Sequence, residues 1–156
     1  VNPTNNDRDA AVVIGSDHAG WELKEAVKHW LLGKNFTVTD VSEPALNPAD
    51  DYPKYAFRVA RAVAGGSFAR GIVLCGTGIG ASIAANRVKG VRAALCLTEE
   101  MAVLARKHND SNVLVLGGRL TDPAGAYPIV GAWLSTVFEG GRHAGRVRQL
   151  DAAEQP

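Results

Sequence analysis

Short, mostly apolar runs alternate with longer amphipathic stretches along the whole chain, and this alternation restricts the fold more than any other feature of the sequence. The runs are residues 11–14, 36–41, 71–75, 91–97 and 112–116, each followed by a glycine, serine or threonine. Runs of this length read as strands, and their low polar content predicts burial on both faces of a sheet. Between and after them, residues 21–32, 55–64, 81–88, 99–108 and 124–137 place apolar side chains at helical spacing. The order is strand, helix, strand, helix throughout. Parallel strands need long crossovers, and helices supply them with a right-handed connection. The predicted fold is α/β, a three-layer αβα sandwich of Rossmann-like type around a five-stranded parallel sheet.

A chain of 156 residues, 46% hydrophobic and 21% charged, can bury a sizeable core and is expected to form a single domain over 1–156. Residues 1–10 are polar and expected to be flexible, while 139–156 read as a C-terminal extension. Seventeen basic and sixteen acidic residues leave a formal net charge of +1. That balance argues against nucleic acid or an acidic membrane surface as partner, so any anion site must be local. No apolar run approaches the ~20 residues of a transmembrane helix, and the polar start lacks a signal-peptide core; no membrane partner and a cytoplasmic location are expected. The two cysteines, Cys75 and Cys96, form no Cys-x-x-Cys pair, which predicts reduced thiols.

Open parallel sheets bind ligands beyond the carboxyl ends of their strands. Asp17-His18 follows the first predicted strand, Cys75 to Gly80 the third, Thr98-Glu99-Glu100 the fourth and Gly117-Gly118-Arg119 the fifth. The richest of these is Cys75-Gly76-Thr77-Gly78-Ile79-Gly80, a thiol that ends a strand and opens a glycine-rich turn. Glycines let the backbone approach a ligand, and the helix predicted next aims N–H groups at it. Two chemistries fit: a phosphate cradle, or a site that stabilises negative charge formed during reaction, with Cys75 as base or nucleophile. A free thiol is only a few per cent thiolate at neutral pH, so base chemistry requires help from such N–H groups.

Other readings of the same residues stand beside these. Gly76-x-Gly78-x-x-Ala81 also fits a dinucleotide fingerprint, with Glu99 as a ribose-binding acid, although it follows the third strand and not the first. The glycines alone are compatible with a tight turn, and Cys75 with a small buried hydrophobe. Cys96, inside an apolar run, reads as core. Asp17 fits a helix N-cap beside a solvated His18, and His108-Asn109-Asp110 fits a helix end with Asn109 as a left-handed cap. Asp51 and Pro53 read as the N-cap and first turn of a helix, a signal repeated at Asp122-Pro123. The proline-containing connection 42–51 reads as a surface loop. His18, His29, His108 and His143 show no His-x-x-x-His pair, so no metal is expected. Arg119, Arg142 and Arg146 are either solvated charges or phosphate ligands. The basic segment 142–148 shows no apolar face wide enough to dock on its own domain, and is expected to reach a neighbouring subunit.

Six motifs, taken in order, resemble the type B ribose-5-phosphate isomerases. They are Gly15-Ser16-Asp17-His18-Ala19-Gly20, Asp51-Tyr52-Pro53, Cys75-Gly76-Thr77-Gly78-Ile79-Gly80, His108-Asn109-Asp110, Gly117-Gly118-Arg119 and Gly140-Gly141-Arg142-His143-x-x-Arg146. The resemblance runs over 12–150. It implies a cofactor-free aldose–ketose isomerisation of a phosphorylated sugar, by a homodimer that shares its active sites between subunits; a tetramer is compatible. The wider family includes isomerases of galactose 6-phosphate, allose 6-phosphate and tetrulose phosphates. A nucleotide-binding oxidoreductase and a noncatalytic sugar-phosphate sensor are the readings of other classes.

By resemblance, His108 of the partner subunit works with Asp17 to open the furanose ring, Cys75 moves the proton at C2, and Thr77 exchanges protons with the substrate oxygens. Gly76, Gly78, Ile79, Gly80 and Asn109 are implied to form an anion hole, with Tyr52 among the substrate contacts. The phosphate then falls to His18, Arg119, Arg142 and Arg146, so the anion at the glycine turn becomes the enediolate and not the phosphate. The loop 42–50 departs from the pattern expected ahead of Asp51-Tyr52-Pro53, a departure that bears on sugar choice. Trp21 stands where a smaller aromatic is common and reads as a core residue of a helix face.

Overall fold

The computed structural model describes residues 10–153; the expected flexibility of residues 1–9 lies outside that range. The strands are β1 (Ala11–Ser16), β2 (Thr37–Asp40), β3 (Arg70–Cys75), β4 (Ala93–Leu95) and β5 (Val113–Gly117), and the helices α1 (Trp21–Gly33), α2 (Tyr52–Ala64), α3 (Ile79–Ala85), α4 (Glu99–Asn109), α5 (Pro123–Ser135) and α6 (Arg142–Ala152). A 3-10 turn, His18–Gly20, precedes α1. All strand pairs are parallel and the sheet order is β2-β1-β3-β5-β4.

Successive residues of the three central strands serve opposite faces, as the pleat requires. Val12, Ile14, Ile72, Leu74, Leu114 and Leu116 bury one face under α1, α4 and α5, where Trp133 is the largest enclosed side chain. Val13, Val73, Val113 and Val115 bury the other beneath α2 and α3, together with Cys75. The predicted three-layer sandwich is therefore observed. No helix among the described residues is long and apolar enough to cross a membrane.

Several boundaries differ from the sequence expectation for local reasons. The helix α2 begins at Tyr52 with Pro53 in its first turn, and Asp51 occupies the N-cap position, but its side chain makes no capping bond. Asp122 does cap, accepting from the Gly125 N–H at 2.8 Å. The third helix, expected over 81–88, occupies Ile79–Ala85 because left-handed Gly78 lets it start directly after the turn. The strand expected over 91–97 shrinks to Ala93–Leu95 at the edge of the sheet.

The largest correction concerns the basic segment after Gly140-Gly141. It forms a regular helix, α6, that buries His143 and Val147, one turn apart, on its own chain. Arg92 holds its far end through two hydrogen bonds to Asp151, at 2.9 and 3.1 Å. Two buried positions and one ion pair, in which a single Arg92 nitrogen serves both Asp151 oxygens, suffice for docking where the basic composition concealed the stripe.

A charge network fixes α1 to β2. Lys24 is fully buried, with Nζ 2.8 Å from both Asp40 and Glu25 and 3.7 Å above the centre of the Trp21 ring. Lys28 adds a 2.8 Å bond to the same Asp40 oxygen. Trp21 is half-buried and covers this network, so it is less of a core residue than its place on the helix suggested. Burial alone would raise the Asp40 pKa, but the hydrogen bonds from Lys24 and Lys28 bring it down to about 2. A carboxylate with a lowered folded pKa stabilises the fold above its unfolded pKa and loses that contribution as pH falls. The ionised Asp40 is thus worth about 2 kcal/mol above pH ~4, fading towards pH ~2. Asp40→Asn is expected to cost about 2–4 kcal/mol at pH 6, because it strips a buried ammonium of its main counter-charge. In urea titrations the gap between variant and wild type should narrow below pH ~4; a constant gap would contradict this role.

Candidate active site

Three adjacent strands end side by side. Ser16 is paired with Leu74 and Cys75 with Gly117, so the turns after β1, β3 and β5 leave the carboxyl edge of the sheet together. This edge also contains the switch point between β1 and β3, where successive connections leave in opposite directions. The turns are tied to one another. Gly118 N–H donates to Cys75 O and Arg119 N–H to Gly76 O, both at 2.8 Å. A Cβ on Gly117 would lie 2.6 Å from the Thr77 backbone, which explains the glycine at that contact.

Cys75 is buried, and its Sγ accepts a hydrogen bond from the Gly78 N–H at 3.1 Å. Gly78 reaches that position with a left-handed φ of 78°, packed so closely that a Cβ would meet Leu95 at 2.6 Å. The Ile79 N–H turns to Thr77 Oγ1 at 3.3 Å. The next first-turn N–H groups, on Gly80 and Ala81, have no intrahelical acceptor. The Tyr52 ring covers Gly80, and the Arg119 guanidinium lies against Gly76, at the two ends of the turn. The turn thus presents a sulfur, a hydroxyl and unshared N–H groups between an aromatic ring and a cation. The bland reading of Cys75 as mere core filler does not account for the N–H aimed at its sulfur. Cys96 fits its core reading: it is buried, and burial pushes its thiol up to about 11.

Asp17 directly follows β1, nearly enclosed, with Oδ1 accepting from the Gly20 N–H at 3.1 Å; it caps the 3-10 turn as the sequence suggested. Burial pushes its carboxyl above the ordinary range, with the Gly20 bond only partly opposing. His18 is held by a residue that the sequence reading missed. Asp50 Oδ1 lies 2.9 Å from the His18 backbone nitrogen and 2.8 Å from its Nδ1. That bond raises the imidazole pKa. The signal lay in Asp50-Asp51, since only one of two consecutive carboxylates can occupy an N-cap.

His108, Asn109, Arg142 and Arg146 lie elsewhere. The helix α4 leaves the carboxyl edge after β4 and must return to the amino edge, where β5 begins, so His108 and Asn109 at its end face away from Cys75. The left-handed cap is Asp110, at φ 45°, and not Asn109. The His108 ring stacks on that of His143 with centroids 4.2 Å apart. Arg142 and Arg146 are exposed one turn apart on α6, flanking the face that buries His143 and Val147. Asn109 lines a cleft of about 420 Å³ with Asn86, Arg92 and Ser111. Among the described residues, neither Arg119, Arg142 nor Arg146 makes an ion pair, leaving three free guanidinium groups.

The dinucleotide reading fails on topology. Glu99 follows β4, which β5 separates from β3, so the acid does not adjoin the Gly76–Gly78 turn as a ribose ligand of that fingerprint must. The fold does assemble histidine–carboxylate groups that linear spacing hid. His108, Glu139 and His143 offer atoms within 4.8 Å of one another, as do Asp17, His18 and Asp50. In each group an imidazole is already engaged, by the ring stack or by Asp50.

Comparison with known proteins agrees with this geometry. Residues 12–150 match the family model described as Ribose/Galactose Isomerase. Ribose-5-phosphate isomerase B of Escherichia coli is 44% identical over 144 residues, which is 92% of this chain and 96% of that protein. The crystal structure of a ribose 5-phosphate isomerase from Thermotoga maritima superposes with a TM-score of 0.89 at 50% identity, covering 92% of this chain and 98% of that one. Ribose-5-phosphate isomerase B from Mycoplasma genitalium, solved with bound ribulose-5-phosphate, gives 0.87 at 42% identity, covering 90% and 93%. With residues 12–150 matched by the family model and about nine-tenths of its length aligned with these proteins, the chain belongs to the ribose/galactose isomerase family.

Proposed function

We propose that this chain interconverts ribose 5-phosphate and ribulose 5-phosphate through an enediolate, in active sites shared between two copies. The observation that carries the reading is the Cys75 turn: a thiol and unshared backbone N–H groups at the ends of three adjacent strands, beside His18 and Arg119. The similarity to proteins named ribose-5-phosphate isomerase B, one solved with ribulose-5-phosphate, supports the substrate.

In the first step the furanose ring opens. A proton leaves the C1 hydroxyl as the ring oxygen gains one and its bond to C1 breaks, giving the aldehyde. His108 of one chain and Asp17 of the other exchange these protons. Burial raises Asp17 and so makes its protonated form accessible as a donor. In the second step the Cys75 thiolate takes the proton from C2, and the C–H electron pair moves towards C1 and its oxygen. The resulting enediolate is stabilised by N–H groups of the Gly76 to Gly80 turn and by Asn109 of the other chain, a gain that exists only as charge develops. Thr77 passes a proton from O2 to O1, and Cys75 returns its proton to C1, leaving the ketone at C2. His18, Arg119 and the other chain's arginine pair at 142 and 146 hold the phosphate.

Two copies are required because His108, Asn109, Arg142 and Arg146 lie on the amino edge and Cys75 on the carboxyl edge. A docking face exists between those edges. Ile79 and Ile83 on α3, Leu97 after β4, and Met101 and Leu104 on α4 are exposed around the edge strand β4. Both helices span the two edges, so a two-fold axis across this face sets one chain's amino edge against the other's carboxyl edge. A homodimer in the cytoplasm, with no metal in the chemistry, completes the reading.

Purified protein is expected to turn over ribose 5-phosphate in the presence of a chelator, and Cys75→Ala to lose at least ~10³-fold in kcat while binding the sugar phosphate within about threefold by calorimetry. Retained turnover in that variant would remove Cys75 as the base. No wild-type turnover on any four-, five- or six-carbon sugar phosphate would remove the activity itself. Erythrose 4-phosphate has no free hydroxyl with which to close a furanose ring. His108→Asn should therefore lose roughly 10²-fold on ribose 5-phosphate but only a few-fold on erythrose 4-phosphate; equal losses would refute a ring-opening role.

A further inference from the structure

The loop 41–51 is fastened at both ends to the tip of β1. Near its start, Ser42 Oγ accepts the Ser16 N–H at 2.9 Å, and the Ser42 N–H bonds Asp40 at 3.0 Å. Near its end, one oxygen of Asp50 engages both the backbone and the ring of His18. The Asp50 carboxylate is only 6% exposed, whereas the His18 side chain is 37% exposed.

We propose that Asp50 is a positioning residue for phosphate binding, locking His18 in the tautomer and charge state in which Nε2 donates to the substrate's phosphate. This rests on the sugar-phosphate reading of the site. A carboxylate oxygen can only accept, so Nδ1 must carry a proton. With Nδ1–H fixed on Asp50, a neutral ring would turn a lone pair at Nε2 towards an anion, which repels it; only the imidazolium offers a second N–H. The counter-charge of Asp50 favours that imidazolium, and the backbone bond to the same oxygen fixes the distance between loop and strand tip. Burial would raise Asp50 itself, but its bonds to His18 keep it ionised.

The other groups facing this pair are few. Asp17 also favours the charged ring. The Tyr55 hydroxyl, packed behind Asp50 with Glu43 and Arg58 nearby, titrates only near about 12. The Arg119 guanidinium, against Gly76 and close to Ala19, is the nearby cation. Asp50 is the partner that tips the balance. The 42–50 loop thereby acts on substrate binding without itself needing to touch the sugar.

In Asp50→Asn, the KM for ribose 5-phosphate and the inhibition constant of inorganic phosphate should rise together by about tenfold at pH 7.5, with kcat within about twofold. The same substitution in a His18→Ala background should change neither. The His18 imidazole, followed by NMR without substrate, should titrate at lower pH in Asp50→Asn than in wild type. This readout and phosphate binding need no turnover, so they remain informative if the isomerase reading fails. An unchanged His18 titration, or an equal rise in KM without His18, would overturn the proposal.

Discussion

Because every strand is parallel, each crossover helix must carry the chain from the carboxyl edge of the sheet back to its amino edge. The rest of the molecule follows from that requirement. It gathers the turns after β1, β3 and β5 on one edge, where Asp17, His18, Cys75 and Arg119 meet, and it forces the last residues of α4 to the other. His108 and Asn109 are thereby separated from the thiol by the length of a helix. On the proposed shared-site reading, a catalytic set divided in this way is incomplete in one chain, and the exposed apolar residues on α3 and α4 lie along the surface that a second copy would cover to complete it.

Electrostatics at the carboxyl edge distinguish two neighbouring residues by environment. Asp17 is raised chiefly because it is enclosed, and His18 chiefly because Asp50 bonds its ring. Both shifts favour the protonated form, yet with opposite consequences. In the proposed mechanism the first shift suits Asp17 to carry a proton, and the second suits His18 to donate to an anion. The Cys75 turn, by contrast, supplies no full charge. Its N–H dipoles are suited to a negative charge that exists only during reaction, and the proposed mechanism accordingly gives the standing charge of the phosphate to His18 and the guanidinium groups.

Much of this was legible in the chain itself, because periodicity and turn residues report on local burial. The five strands, the sandwich and the edge location of Asp17, Cys75 and Arg119 followed from short apolar runs and the residues after them. What stayed hidden depends on distance in space. The Asp50-Asp51 pair hints that one carboxylate serves elsewhere, but nothing local identifies His18, thirty-two residues away, as its partner, or shows that His143 stacks on His108. The docking of α6 escaped because its buried stripe is only His143 and Val147 and its anchor, Arg92 to Asp151, spans fifty-nine positions. The left-handed residue at Asp110, and not Asn109, reflects where the last turn of α4 ends, a detail that composition does not set.

The central claim is that each active site takes Cys75 from one chain and His108 from another. Mixing Cys75→Ala with His108→Ala protein under conditions that exchange subunits tests it directly, since a mixed dimer places both lesions in one site and leaves the other intact. Random reassortment should restore about one quarter of wild-type activity on ribose 5-phosphate, from two preparations that are each nearly inactive. Activity no greater than the average of the two separate preparations, with mixed dimers demonstrated by mass, would contradict shared sites.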